Sequence, residues 1–487
     1  MKNTLQIFLI LFFGICINIR SQSEGFRMMN TMKTYEDIRF QFINNLIVIP
    51  IQVNDKKLNF ILDSGVNKTI VFNSSRVDTI LSNFEYKYKL KGLGKGLPVN
   101  AVVSKNNRFK INNLIAVNKN VYVILKDDFD LSSKMGITIH GVIGYDIFSN
   151  LILKINYKSK KIRFYNPSKY KQKKCSKCEV LPLTIFQKKP YIDASVKLTN
   201  NSKKIPIKML IDSGGSDAVW LFEYSNENIV TPVNFFTDFL GVGLSGTVYG
   251  KRSRISSLGL GKFSLNKPTV SFLDTLSTKD ARKFNKRNGS IGTGILKRFT
   301  VWFDYPNNRL MLKKNSSYNE EFNYNMSGLE VVYDGKILVE ESLNSYAETN
   351  GGTSDQNGNS VSLIKSYVYK FKPNFKIYNV LEGSPADLAG VMKDDILIKI
   401  NGNPIYNFQL HELISIFQEK ENKLILETLI TKLKSGCTVM VFTLITISLL
   451  LLMAKHKLTL LSTEVFMQVV QRTEQRTTSM KTLLSGV

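Results

Sequence analysis

The chain has 487 residues, of which 43% are hydrophobic and 22% charged; the length suits about three domains, and the composition excludes a wholly disordered chain. Its 66 Lys and Arg against 39 Asp and Glu leave a net charge of +27. The lysines are scattered along most of the chain, which reads as a solvated surface and argues against a nucleic-acid partner. The one dense run, Lys154 to Lys177, holds ten basic residues and no acid, and a basic-surface partner such as anionic lipid would have to rest on it alone.

In chain order, Lys2, the apolar run LQIFLILFFGICI and the polar NIRSQS have the proportions of a secretory signal peptide over residues 1–22, with a short N-terminal anchor as the alternative. The expected compartment is therefore outside the cytoplasm: exported, periplasmic or at the cell surface. Next, FINNLIVIPIQVN alternates apolar and polar residues as a strand does and is followed, through a polar ND turn, by KKLNFILDSGVNKTIVF around Asp63. A strand that ends on a carboxylate must compensate that charge if it is buried.

A Gly-rich stretch, GLGKGLPVNAVV, follows from Gly92, and HGVIGYDIFSNLILKINYKSKKIRFYNP from His140. Cys175 and Cys178 form a CxxC without the two further soft ligands a zinc site needs, so they read as a local disulfide or two bystander thiols. Then the pattern returns. KKPYIDASVKLTN and IPIKMLIDSGGSDAVWLF place a second DSG at Asp212, 149 residues after Asp63. GVGLSGTVYGKR from Gly241 matches the first Gly-rich stretch, and NGSIGTGILKRFTVWFDYPNNRLMLKK matches the segment from His140. Asp63 to Gly144 is 81 residues and Asp212 to Gly292 is 80, so one β-rich unit occurs twice.

A single DSG reads as a turn after a strand. Two, each followed at matched distance by apolar-apolar-Gly, point to chemistry. Carboxylates brought face to face cannot both ionise, so they share a proton, and the pair then offers an acid and a base in one site. On these motifs residues 40–316 resemble an aspartic protease of the pepsin/retropepsin type, in the form exported by bacteria, with one D-[ST]-G per lobe. The resemblance implies that Asp63 and Asp212 are the catalytic dyad. It also implies that Ser64 and Ser213 lock the two loops together, that Gly65 and Gly214 bring amides to the carboxylates, and that Gly144 and Gly292 pack beneath. Val66 and Gly215 stand where many relatives carry a hydroxyl, and Tyr249 lies in the second Gly-rich stretch with no counterpart in the first. With only His140, His411 and His456, no HExxH and no GxSxG, no metal or cofactor is expected.

After Gly328 the texture changes to GLEVVYDGKILVEES, then to a Gly/Ser/Asn-rich insert, 345–362, read as a flexible loop. Gly383-Ser384-Pro385-Ala386, Ala389-Gly390, Asp395-Ile396 and the Asn401-Gly402 turn resemble a bacterial PDZ domain, with residues 409–419 as its groove helix. That resemblance implies an extended peptide or chain end as ligand, its carboxylate held by amides of the Gly328-Leu329-Glu330-Val331 loop. Residues 437–454 read either as a transmembrane helix or as closing strands of this domain.

The expected architecture is mainly β: two homologous acid-protease β-barrel lobes, 36–178 and 179–318, then a PDZ (α+β) domain over 325–445 and a tail, 455–487. The expected function is an aspartic endopeptidase acting on polypeptide substrates, with the PDZ domain docking peptide or regulating access and with membrane association if 437–454 spans. The alternative is a catalytically weak peptide-binding chaperone or sensor on the same lobes.

Overall fold

The computed structural model describes residues 25–72, 80–81, 83–124, 129–284, 286–348, 361–419, 423–429 and 442–445. The segment 1–22, read as a signal peptide, and the tail 455–487 lie outside them. Each half of the repeat builds one lobe around a large mixed sheet, and the described strands of the two lobes number nine and ten in those sheets.

The order within a lobe follows from the apolar pattern. Leu46–Val53 pairs antiparallel with Lys56–Leu62 across the Asn54-Asp55 turn, whose residues both adopt positive φ. Beyond the DSG turn the chain returns as Thr69–Phe72, four consecutive buried residues. Between these two strands inserts Gly141–Ile143, parallel to the first, with Ile143 opposite Leu62, and antiparallel to the second. The second lobe repeats the insertion: Arg287–Ile291 runs parallel to Ile205–Ile211, with Ile291 opposite Ile211, and antiparallel to Val219–Phe222. All five residues of the inserted strand Arg287–Ile291 are buried although Ile291 is its one apolar side chain.

The lobes are joined beneath by a six-stranded sheet to which both contribute. Ile152–Asn156 of the first pairs with Phe299–Asp304 of the second, with Lys154 opposite Trp302. One apolar core runs through both lobes and this sheet, including Phe60, Phe148, Phe164, Phe299 and Phe303, all fully buried. Ahead of residue 36, Arg27–Met28 adds to the edge of the first lobe's sheet. Cys175 and Cys178 are joined by a disulfide in the linker between the lobes.

The C-terminal module has a separate core of Leu329, Phe375, Ile377, Leu397, Leu413 and Leu426 with their neighbours. Its short helix Pro385–Leu388 starts at Ser384, whose side chain accepts from the Asp387 amide, and its second helix Leu410–Ile416 starts at Gln409 with a reciprocal capping box to Glu412. The stretch read as a flexible insert is different in form. Residues 345–348 and 361–362 extend two 20-residue strands, Leu329–Glu348 and Val361–Val380, into one long ribbon, and 349–360 lie outside the described residues. Of 437–454, the described residues 442–445 form a strand on Leu426–Leu429. Among the described residues no helix is long and apolar enough to cross a membrane.

Candidate active site

Asp63 and Asp212 each follow directly on a buried apolar strand, and each main-chain amide donates to the last carbonyl of the inserted strand, Asp63 to Ile143 at 2.9 Å and Asp212 to Ile291 at 2.9 Å. The inserted strands therefore fix the height of both carboxylates. The two DSG loops then lock reciprocally: the Ser64 amide donates to Ser213 Oγ at 2.9 Å, and the Ser213 amide to Ser64 Oγ at 3.0 Å. Each hydroxyl in turn donates across the axis, Ser64 to the Ile211 carbonyl at 2.7 Å and Ser213 to the Leu62 carbonyl at 2.9 Å. Both serines are buried, so every donor and acceptor of the lock is satisfied by the opposite lobe.

The glycines are required by close approach. A Cβ on Gly214 would overlap the Asp63 carboxyl, and one on Gly65 would sit 3.0 Å from Asp212 Oδ1. With no side chain in the way, the Gly65 amide donates to Asp63 Oδ1 at 2.6 Å and the Gly214 amide to Asp212 Oδ1 at 3.1 Å. Gly144 and Gly292 stand beneath, against the Asp63 and Gly215 carbonyls respectively, and each opens a short helix. Among the described residues neither carboxylate receives a hydrogen bond from a hydroxyl, as Val66 and Gly215 imply.

The two carboxyls face each other: a Cβ on Gly65 would lie 3.0 Å from an oxygen of each. Burial, and then the charge of Asp212, push Asp63 well above the usual carboxylate range, so the pair retains a proton where isolated carboxylates have lost theirs. Sequence reading missed a third group. Val48 is opposite Ile61 and Tyr191 is opposite Leu210, so the register places Leu46 across from Asp63 and Lys189 across from Asp212. Lys189 is half-buried, and burial pulls its ammonium below the ordinary range while both aspartates raise it. The two halves of the site are thus unequal, a leucine on one side and a cation on the other. Aligning the repeats by strand register rather than by motif is the signal that would have found it.

Both Gly-rich stretches are hairpin tips. Phe84–Leu90 pairs with Val99–Ile111, and Phe236–Gly243 with Gly246–Arg254. Their tips meet: the Ser245 amide donates to the Leu93 carbonyl at 3.0 Å, the Gly96 amide to the Ser245 carbonyl at 2.6 Å, and the Gly92 amide to Ser245 Oγ at 3.2 Å. Lys91 to Asp280 at 2.9 Å and Lys95 to Asp274 at 3.0 Å tie the first tip to the second lobe. Tyr249 lies along the second hairpin, half exposed, its ring against Phe239.

In the C-terminal module, Gly328 to Val331 start the edge strand beside the helix Leu410–Ile416. The Gly328 amide donates to Asn325 Oδ1 at 3.3 Å and the Leu329 amide to Ser327 Oγ at 3.1 Å, so these two donors already have partners in the preceding turn. His140 is structural: it is buried, and its Nδ1 accepts from the Asn59 amide at 3.1 Å. Among the described residues no group of three or more His, Cys, Asp or Glu side chains is placed to hold a metal ion.

Comparison with known proteins supports the two-part organisation. Residues 49–147 match the aspartyl protease family model, and residues 376–430 match the PDZ domain model. Among solved structures, the crystal structure of an aspartic proteinase from Irpex lacteus is 13% identical over 59% of this chain and 98% of that chain, with a TM-score of 0.37. No curated protein matches the chain. The fold is mainly β, as expected, and the two family matches fall on the first doubled-motif unit and on the C-terminal module.

Proposed function

We propose that the protein is an aspartic endopeptidase that hydrolyses peptide bonds with Asp63 and Asp212, and that its PDZ domain holds peptide or regulates access. The single observation that carries this reading is the pair of facing carboxyls, one from each lobe, held together by the Ser64–Ser213 lock. In the mechanism the ionised member of the pair takes a proton from the attacking water. The protonated member hydrogen-bonds the carbonyl oxygen and gives its proton to the leaving nitrogen as the bond to it breaks. The interlocked hairpin tips exclude bulk water and must part for substrate to enter.

Asp63→Asn and Asp212→Asn should each lower peptide cleavage by at least about 100-fold, the scale of general acid–base assistance. Near-parental turnover in both variants would overturn the proposal. A second reading, a peptide-binding chaperone or sensor, is favoured by the lack of a hydroxyl on either carboxylate among the described residues; it predicts peptide binding without product in the parent chain. Export, to the periplasm or cell surface, belongs to the same proposal and is supported by the segment 1–22 and by the Cys175–Cys178 disulfide, which persists in oxidising compartments. Membrane association, proposed from 437–454, is tested by fractionation.

A further inference from the structure

The basic run Lys154 to Lys177 has no part in the site above, and the fold gathers it on one surface. The run covers most of Ile152–Asn156 and all of Lys161–Tyr165 in the six-stranded sheet, then the linker to Cys178–Pro182, a further strand of that sheet. Leu153, Ile155, Phe164 and Phe303 point from the sheet into the core shared by the lobes. The alternate residues therefore face outward. One register row of that outer face reads Asp37, Arg163, Lys154, Trp302, Met311 and Val180 across all six strands.

The row is cationic towards one end and apolar at the other. The Lys154 ammonium lies 4.9 Å from the centre of the Trp302 ring, and Val180 is 46% exposed. Burial, and then the charges of Arg163 and Lys313, pull Lys154 below the ordinary range, with Asp37 opposing them. The acids on this face of the strands, Asp37 and Asp304, are both paired, with Arg163 and Arg309. The linker crosses the same face: the Tyr170 ring packs on Tyr165 at 4.7 Å, and the Gln172 amide donates to Met311 Sδ at 3.5 Å. Its far end is fixed by the Cys175–Cys178 disulfide and by Lys262, which donates to the Ser176 carbonyl at 3.1 Å. Between these anchors Lys171, Lys173, Lys174 and Lys177 are exposed, and none of the four forms an ion pair among the described residues.

Exposed ammonium groups with no acid beside them call for an anionic partner. The run's single arginine, Arg163, is held by both oxygens of Asp37 at 2.7 and 2.8 Å, so no guanidinium fork in it is open to a phosphodiester. Lysines around a tryptophan and an exposed valine instead match a bilayer surface, where headgroup phosphates meet the ammonium groups and the ring sits at the interface. We propose that this sheet face, with the linker across it, docks the protein on an anionic lipid surface. The proposal goes beyond the endopeptidase reading and does not depend on it.

The test is co-sedimentation of the full chain with vesicles of phosphatidylcholine alone and with about 30% phosphatidylglycerol added. The anionic vesicles should bind at least about 100-fold more tightly at low salt, and the preference should disappear at about 1 M salt. Lys171→Gln, Lys173→Gln, Lys174→Gln and Lys177→Gln, introduced together on the exposed linker, should bring the two affinities to within about ten-fold with the melting curve unchanged. On anionic vesicles the emission of Trp302, read as the difference between the parent and Trp302→Phe, should move to shorter wavelength. Equal binding to both vesicles, which is how a span at 437–454 would behave, overturns the proposal. So does a preference that survives the four substitutions, or a Trp302 emission that stays in place. A duplex DNA that displaces the chain from the vesicles at equal phosphate concentration assigns the face to nucleic acid and overturns the lipid docking as well. Peptide cleavage enters none of these readouts, so the hydrolytic reading is decided separately.

Discussion

On the proposed endopeptidase reading, the working pH at the dyad follows from burial opposed by the Gly65 amide and, after it, by one lysine. Burial and the Asp212 charge raise Asp63, and the Lys189 ammonium, across the strand pair from Asp212, pulls it down. Activity requires the shared proton, so it falls as pH rises through the Asp63 value. Lys189→Met removes the charge that opposes protonation, and the alkaline limb of kcat/KM should move to higher pH, with the acid plateau changed by less than about ten-fold. An unchanged limb in the pH profile would mean that Lys189 does not act on the dyad. The residues of the lock and the dyad were legible in the sequence because their spacing repeats: Asp63, Ser64, Gly65 and Gly144 each have a partner at 149 or 148 residues. Lys189 was not legible because its partner is Leu46, and a repeat search rewards sameness while this position matters through difference.

The interlocked tips show what an element adds to its residues. A Gly-rich hairpin in isolation is loose, but Gly94, at φ 118°, lies against the Ser245 carbonyl so closely that any side chain would overlap it. Gly94→Ala is strained by conformation and by contact together. It should part the tips and lower kcat/KM by roughly ten-fold or more through loss of closure, with thermal stability nearly unchanged because no core is touched. Peptide kinetics beside a melting curve separates the two; a large loss of stability would show that the tips belong to the folding unit. The matched Gly-rich stretches marked both hairpins in the sequence, but that one tip caps the other depends on tertiary closure, which no local pattern encodes. The ribbon failed for a related reason. Composition of 345–362 says loop, while the alternation in KILVEESL and LIKSYVYKFK says strand, and only the pairing of Lys336 with Pro373 through Glu348 with Val361 settles how far the strands run.

Across the whole molecule the lobes and the PDZ domain meet through ionisable groups. Lys134, on the short helix Leu131–Met135 of the first lobe, lies over the rings of Phe239 from the second lobe and Tyr378 from the PDZ domain, at 5.4 and 4.6 Å. Glu330 faces the same place. Burial pushes its carboxyl up to about 7, with the Asp238 charge adding to the rise and Lys134 opposing it. Because the folded value lies above the ordinary one of 4.5, the native arrangement keeps a proton that the opened chain releases. The sign follows: this contribution is complete below about pH 4.5, is lost as pH rises toward about 7, and stays lost above it. Asp63 contributes a loss of the same sign, so the total slope assigns nothing to either group. The difference between the parent and Glu330→Gln isolates the PDZ contact. The glutamine chain should match the parent near pH 4.5 and melt about 2 to 4 °C higher at pH 8, the shift that about 1 kcal/mol produces in a domain of this size. Melting curves that stay parallel from pH 4.5 to 8 would show that Glu330 is not held protonated between the domains.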